Sequence, residues 1–171
     1  MQLPPTHLIT AAPADHALLS NLLELYVHDL SDVFPHVRLG PDGRFGYPSL
    51  PLYWAEPGRR FAFLIREGEQ TAGFALVTRG LVQSAHADVY DVAEFFILRQ
   101  HRRSGVGRRA ALSLWGRLPG RWMLRVSEAN RGALAFWSRI VAELDDGNIE
   151  RSTRFERSTP WQVFELEVAP R

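Results

Sequence analysis

The side chains best suited to chemistry cluster in residues 95–111 (FFILRQHRRSGVGRRAA), where an apolar run passes into Arg102, Arg103, two glycines, Arg108 and Arg109. A strand, a glycine turn and a helix start, in that order, suit an anion. Gly105 and Gly107 permit a sharp turn and close approach to a ligand. The first free N–H groups of the following helix, with about half a positive charge, can hold a pyrophosphate. The plainer alternative is a tight turn beside a solvated face of arginines. A third reading is a dinucleotide site: Gly105, Gly107 and Ala110 fit GxGxxA, with Glu128 as the ribose-binding acid. Against it, six residues separate Leu98 from Gly105, whereas that fingerprint places its first glycine directly after the strand. Only 43 residues follow Glu128 in a chain of 171, too few for a doubly wound sheet.

Hydrophobic periodicity predicts the elements that position these groups. Residues 7–11 start a strand; Pro13, Ala14 and Asp15 then open a helix whose Leu18, Leu22, Leu25 and Val27 recur at helical spacing, ending near Leu30. Residues 31–60 form a long connection rich in glycine, proline and aromatics, with one short helix at 51–56. Long loops with their own aromatics are often functional. Runs at 60–66 and 72–78 read as a hairpin, and 88–98 as a third strand in which Asp91 and Glu94 lie on opposite faces if the strand is regular. A helix at 104–117 is stopped by Pro119 and Gly120, and 121–126 forms a strand. Asn130 caps a helix with Ala133, Leu134, Trp137, Ile140, Val141 and Leu144 on one stripe, and strands near 148–155 and 161–168 finish the chain. This order predicts one α/β domain, residues 1–171, around a sheet of mixed direction.

Composition narrows the chemistry. Twenty basic against nineteen acidic residues leave a net charge of +1, which argues against a dedicated nucleic-acid binder. All twenty are arginines, so a phosphate-loop lysine, a Schiff base and a lysine general base are excluded. With no cysteine there is no disulfide, thiol nucleophile or cysteine-bound zinc. His28, His36 and His86 lack the paired spacing of a metal site, so no metal is expected, and no GxSxG elbow is present. No targeting or membrane-spanning stretch is read, so the expectation is a soluble cytoplasmic protein.

Residues 102–107 (RRSGVG) resemble the RxxGxG signature of the GNAT superfamily of acetyl-CoA-dependent N-acetyltransferases, and 130–137 (NRGALAFW) resemble its NxxAxxFY stretch. The element order is similar to that fold, and residues 42–54 (DGRFGYPSLPLYW) resemble a little-characterised bacterial branch. The resemblance implies a mixed, mostly antiparallel sheet of six to seven strands flanked by about four helices. It further implies transfer of an acetyl group from acetyl-CoA to a primary amine, by direct attack on the thioester.

The implied roles follow position by position. Backbone N–H groups of Arg103, Ser104, Gly105, Val106, Gly107 and Arg108 would bind the coenzyme pyrophosphate, with Arg102 among the arginines adding charge around it, and Phe96, Ile97 and Leu98 would pair with the pantetheine arm. The Leu98 N–H would hold the developing oxyanion. Asn130 would contact the coenzyme arm or simply cap its helix. Glu94 is favoured as the base for the amine proton over Asp91, with His101 and Glu128 as weaker candidates; the alternative is a carboxylate paired with an arginine. Trp137 stands where the superfamily commonly has the tyrosine that protonates the departing thiolate, and an indole N–H is no such acid. The following GF is also absent, with Val141 and Ala142 there. Tyr26, Asp29, Arg44, Phe45, Tyr47, Tyr53 and Trp54 would wall the acceptor pocket, or else form a small satellite core. A walled aromatic pocket suits a small amine better than a protein lysine tail. A homodimer is compatible with this reading, and a non-catalytic acyl-CoA sensor would share every coenzyme feature.

Overall fold

The computed structural model describes residues 4–82, 84, 86–144, 149–156 and 158–170. Apolar side chains on both faces bury two long strands, β2 (Arg60–Glu67) and β3 (Gln70–Arg79), in the middle of the sheet. Around them fold β1 (Thr6–Thr10), β4 (Tyr90–Ile97), β5 (Gly120–Ser127), β6 (Glu150–Glu156) and β7 (Thr159–Val168). The first strand begins one residue before the expected start. Of the strand expected at 148–155, Asn148 lies outside the described residues. The order is β1-β2-β3-β4-β5-β7-β6, antiparallel throughout except for β4 against β5.

Period-2 alternation sends the central strands' side chains to two separate cores. On one face, Ala62, Leu64, Phe74, Leu76 and Phe96 meet Leu19, Leu22 and Leu23 of α1 (His16–Ser31) and Tyr53 of α2 (Leu52–Ala55). On the other, Phe63, Ala75, Val77, Trp122 and Leu124 meet Leu114 and Trp115 of α3 (Val106–Arg117) and Trp137, Ile140 and Val141 of α4 (Arg131–Leu144). This is a single α/β domain of seven strands and, among the described residues, four α-helices. None of these helices is long and apolar enough to cross a membrane.

Two irregularities shape the middle of the sheet. Along β4, Leu76 faces Glu94 while the next residue, Val77, faces Val92, so Ala93 is an extra residue in a β-bulge. Asp91 pairs with Thr78, and Leu76 and Thr78 point the same way. The bulge therefore puts Asp91 and Glu94 together on the α1 face, correcting the expectation of opposite faces for a regular strand. The second irregularity is a split: β4 and β5 pair only at Tyr90 with Trp122 and Asp91 with Met123, while on its other edge β5 pairs with β7 from Gly120 to Ser127.

Candidate active site

The split leaves one edge of β4 open from Val92 onward. The Leu98 N–H, expected to face a thioester carbonyl, instead donates to the Ala72 carbonyl at 2.8 Å and so points toward β3. By the alternation of an antiparallel ladder, Phe95 and Ile97 turn their N–H groups the other way, into the split. The Ile97 carbonyl on that side accepts the Arg102 Nε–H at 2.8 Å.

β4 leads through a single 3-10 turn, Arg99–His101, into the glycine loop. Gly105 caps α3 in the left-handed conformation, φ 82°, where an L side chain is strained. At Gly107 a Cβ would meet Phe136 at 3.2 Å and Ile97 at 3.4 Å, so the helix start lies close against the end of β4 and the face of α4. Among the described residues, none of the N–H groups from Arg103 to Arg108 has a hydrogen-bond acceptor within the protein. That row of free donors at a helix N-terminus fits an anionic phosphate group.

Most of the arginine side chains around the loop hold it in shape. Arg102 Nη2 donates to Asp29 Oδ2 at 2.7 Å and Arg99 Nη2 to Asp29 Oδ1 at 2.6 Å, tying the loop to α1. Burial raises the Asp29 carboxyl, but these two guanidinium groups outweigh it and leave it below the ordinary value. Arg109 donates to Thr6 Oγ1 at 2.7 Å and the Ser104 carbonyl at 3.1 Å, and Arg108 pairs with Glu143 at 2.7 Å. Buried His101 bonds Glu67 through Nδ1 at 2.7 Å, and the Ser104 hydroxyl donates to the His101 carbonyl at 2.9 Å. Arg103 is exposed, with φ 65°.

On the α1 face of the split, three tyrosines converge on Glu94. The Tyr47 hydroxyl donates to Glu94 Oε1 at 3.0 Å, the Tyr26 hydroxyl stands beside the same carboxylate, and Tyr53 adjoins Tyr47. Burial pushes the Glu94 carboxyl up, opposed by the Tyr26 and Tyr47 hydroxyls. Burial and the adjacent carboxylate push Tyr26 and Tyr47 well up, and burial lifts Tyr53 to about 12. Tyr53 is only 4% exposed, and its hydroxyl has no hydrogen-bond partner of ordinary geometry.

Asp91 is committed elsewhere. It is 1% exposed and receives Arg125 through two bonds, Nε to Oδ1 at 3.1 Å and Nη2 to Oδ2 at 3.0 Å. Burial raises its carboxyl against the pull of Arg125, whose Nη1 also lies 3.7 Å from Glu156.

The acceptor residues read from the sequence separate into two groups. Tyr26, Tyr47 and Tyr53 gather around Glu94. Trp54 does not: its Nε1–H donates to the Ala11 carbonyl at 3.0 Å and its ring packs on His16. Asp29 is held by Arg99 and Arg102. Asn130 caps α4, its Oδ1 accepting the Ala133 N–H at 3.1 Å, while Trp137 is 7% exposed and packs among Phe95, Trp115 and Phe136.

Three contributors were missed. Arg125 was legible, since Trp122, Leu124 and Val126 alternate inward and leave it on the opposite face. Glu24 and the pair Phe34–Trp161 give no local signal. Phe34 lies flat on Trp161, centroids 6.1 Å apart and planes 6° apart. Trp161 shares the α1 face with Arg125, because Ser127 and Arg125 pair with Trp161 and Val163. The chain therefore leaves α1, reaches β7, and returns to α1 where Phe45 N–H meets Glu24 Oε2 at 2.8 Å. With β5 lying between β4 and β7, this segment straps the α1 side of the split.

The bulged strand, the split sheet and the helix are shared with a class of known proteins: the fold is that of acetyltransferases. The chain belongs to the Acetyltransferase (GNAT) family, whose profile matches residues 21–141. Among solved structures it is similar to an acetyltransferase from Thermus thermophilus, with a TM-score of 0.71 and 21% identity over 97% of this chain and 100% of that one. It is also similar to yncA of Salmonella typhimurium, solved with its cofactor acetyl-CoA, at a TM-score of 0.64 and 14% identity over 97% and 95% of the two chains. A third is the ribosomal-protein-S18-alanine N-acetyltransferase of Escherichia coli, with a TM-score of 0.61 and 14% identity over 98% and 96%. These likenesses establish the fold. No curated protein sequence matches the chain.

Proposed function

We propose that the protein moves an acetyl group from acetyl-CoA to the primary amine of a small molecule. The observation that carries this reading is Glu94, which stands with three tyrosine hydroxyls at the bulge where β4 leaves β5, on the strand that runs into the free N–H row. Those residues fit the coenzyme: the N–H groups from Arg103 to Arg108 suit its pyrophosphate, and the open edge of β4 suits the amides of its pantetheine arm. Asn130 and Trp137 are supported here as a helix cap and a core residue.

In the proposed step the neutral amine nitrogen attacks the thioester carbon. A C–N bond forms, the C–S bond breaks, and its electron pair leaves on sulfur. Glu94 accepts the amine proton, its raised affinity for protons suiting it to that task near neutral pH better than an ordinary surface carboxylate. Charge developing on the thioester oxygen is met by the Ile97 N–H, which takes the place first given to Leu98. The buried tyrosines are poor acids, and Trp137 offers no hydroxyl. The thiolate then leaves without a protein acid, because a coenzyme A thiolate is only weakly basic. The strap through Phe34 and Trp161 supports a small acceptor over a lysine in a folded protein.

The reading is tested by thiol release from acetyl-CoA across a panel of small primary amines and one lysine-containing peptide. Release with one or more small amines and not with the peptide is expected. Release with the peptide alone would overturn the acceptor class, and binding of acetyl-CoA with no release at all would favour a non-catalytic acyl-CoA sensor.

A further inference from the structure

Glu24 of α1 and Glu94 of β4 sit on different elements, yet the loop segment 44–47 joins them, hydrogen-bonded to Glu24 at one end and to Glu94 at the other. Glu24 Oε2 accepts the Phe45 N–H at 2.8 Å; Glu24 Oε1 accepts the Gly46 N–H at 3.1 Å and the Arg44 Nε–H at 3.2 Å. Arg44 Nη2 adds a bond to Ser20 Oγ at 2.8 Å. One carboxylate thus fastens three consecutive residues to the helix. The next residue is Tyr47, whose hydroxyl donates to Glu94. Gly46 holds φ 72°, with nothing within 4 Å of where a Cβ would stand, so it is the backbone conformation and not space that favours glycine there.

We propose that Glu24 is a positioning residue of the acetyl-transfer site: by fastening residues 44–46 to α1 it holds the Tyr47 hydroxyl against Glu94. This rests on Glu94 being the base of the proposed reaction. The loop arises in the long connection of the chain, where no secondary structure fixes residue 47, and a phenol hydroxyl placed at 3.0 Å needs such an anchor. A donor to the ionised carboxylate favours that form, so loss of the anchor makes Glu94 hold its proton to higher pH. The groups facing Glu94 are Tyr26 from α1, Tyr47 from the loop with Tyr53 of α2 behind it, Asp91 from β4 and Arg125 from β5. Glu24 faces Arg44, and the Phe45 and Gly46 N–H groups hold its own carboxyl below the ordinary value.

The test is a carboxyl-carbon NMR titration of the full chain labelled at glutamate, with the Glu94 signal assigned by its loss in Glu94→Gln. Tyr47→Phe is expected to raise the Glu94 midpoint by about one pH unit, the scale of a hydrogen bond to a charged group. Glu24→Gln is expected to raise it comparably, and to add nothing in the double variant with Tyr47→Phe. Should Glu24→Gln fail to fold, Gly46 serves instead: Gly46→Val cannot hold φ 72° and should raise the midpoint, whereas Gly46→Asn, which tolerates that region, should leave it near wild type. A wild-type midpoint in folded Glu24→Gln or Gly46→Val, or full additivity in the double variant, would overturn the proposal. The Glu94 reading fails separately, by undiminished acetyl transfer in Glu94→Gln.

Discussion

Asp91 and Glu94, three positions apart on β4, face the same side of the sheet because Ala93 is bulged out between them. Shared facing divides their work. Asp91 is closed off by two bonds from Arg125, while among the described residues Glu94 is met at hydrogen-bonding distance by neutral tyrosine hydroxyls, which leaves it free for the proposed role of base.

Replacing Glu94 with Gln should therefore lower kcat by roughly 10²–10⁴-fold, the usual worth of a positioned base, while acetyl-CoA affinity stays near wild type. Because burial raises its pKa, the wild-type acid limb of the rate profile should lie above the ordinary carboxylate range, with activity lost as the pH falls through it. Steady-state rates across pH, with binding measured by calorimetry, check both points. An unchanged profile in Glu94→Gln would reject the base.

Arg125→Ala should destabilise the fold by on the order of 3 kcal/mol at neutral pH, because it strands a buried carboxylate; the half-buried position of Arg125 keeps the loss at the low end of such cases. Asp91 already binds its proton more tightly folded than unfolded, and more so without Arg125. The penalty therefore belongs to pH values above that raised pKa and shrinks as the pH falls through it. Urea unfolding of both proteins at neutral and mildly acidic pH reads the difference.

Gly107→Glu should abolish coenzyme binding by placing an anion where phosphate belongs. Its Cβ also presses on Phe136, so circular dichroism must first show a folded variant. Calorimetry with acetyl-CoA then decides, and wild-type affinity would remove the loop from the binding site.

If the α1 side of the split takes the acceptor, as proposed, Phe34→Ala and Trp161→Ala should each raise the acceptor KM with little effect on acetyl-CoA affinity, since the stack straps that side. A double-mutant cycle on stability should give about 0.5–1.5 kcal/mol of coupling, as for other aromatic pairs. No coupling would mean the two rings do not stack in solution.

Much of this was legible in the residue order. The glycine loop, the α4 cap at Asn130 and the buried β2–β3 hairpin are local patterns, and local patterns survive folding. The bulge at Ala93 was not, because a single extra residue shows only against its partner strand, and it reversed the facing of Asp91 and Glu94. The Leu98 N–H was misdirected for the same reason: which edge of a strand is free depends on its neighbours. Trp54 and Asp29 matched the acceptor pattern by type, but their partners, Ala11, Arg99 and Arg102, are distant in the chain. The contacts of Glu24 and Trp161 lie far along the chain, where periodicity cannot register them.

The most direct test of the central claim is a thermal-shift titration with acetyl-CoA, coenzyme A, NAD and NADP side by side. A ligand that binds only the folded state stabilises it by about 2.7 kcal/mol at a hundred times its Kd, a rise of roughly 5–11 °C for a chain of this size. Acetyl-CoA and coenzyme A should raise the Tm and the two dinucleotides should not. A rise with NAD or NADP alone, or with none of the four, would contradict the account.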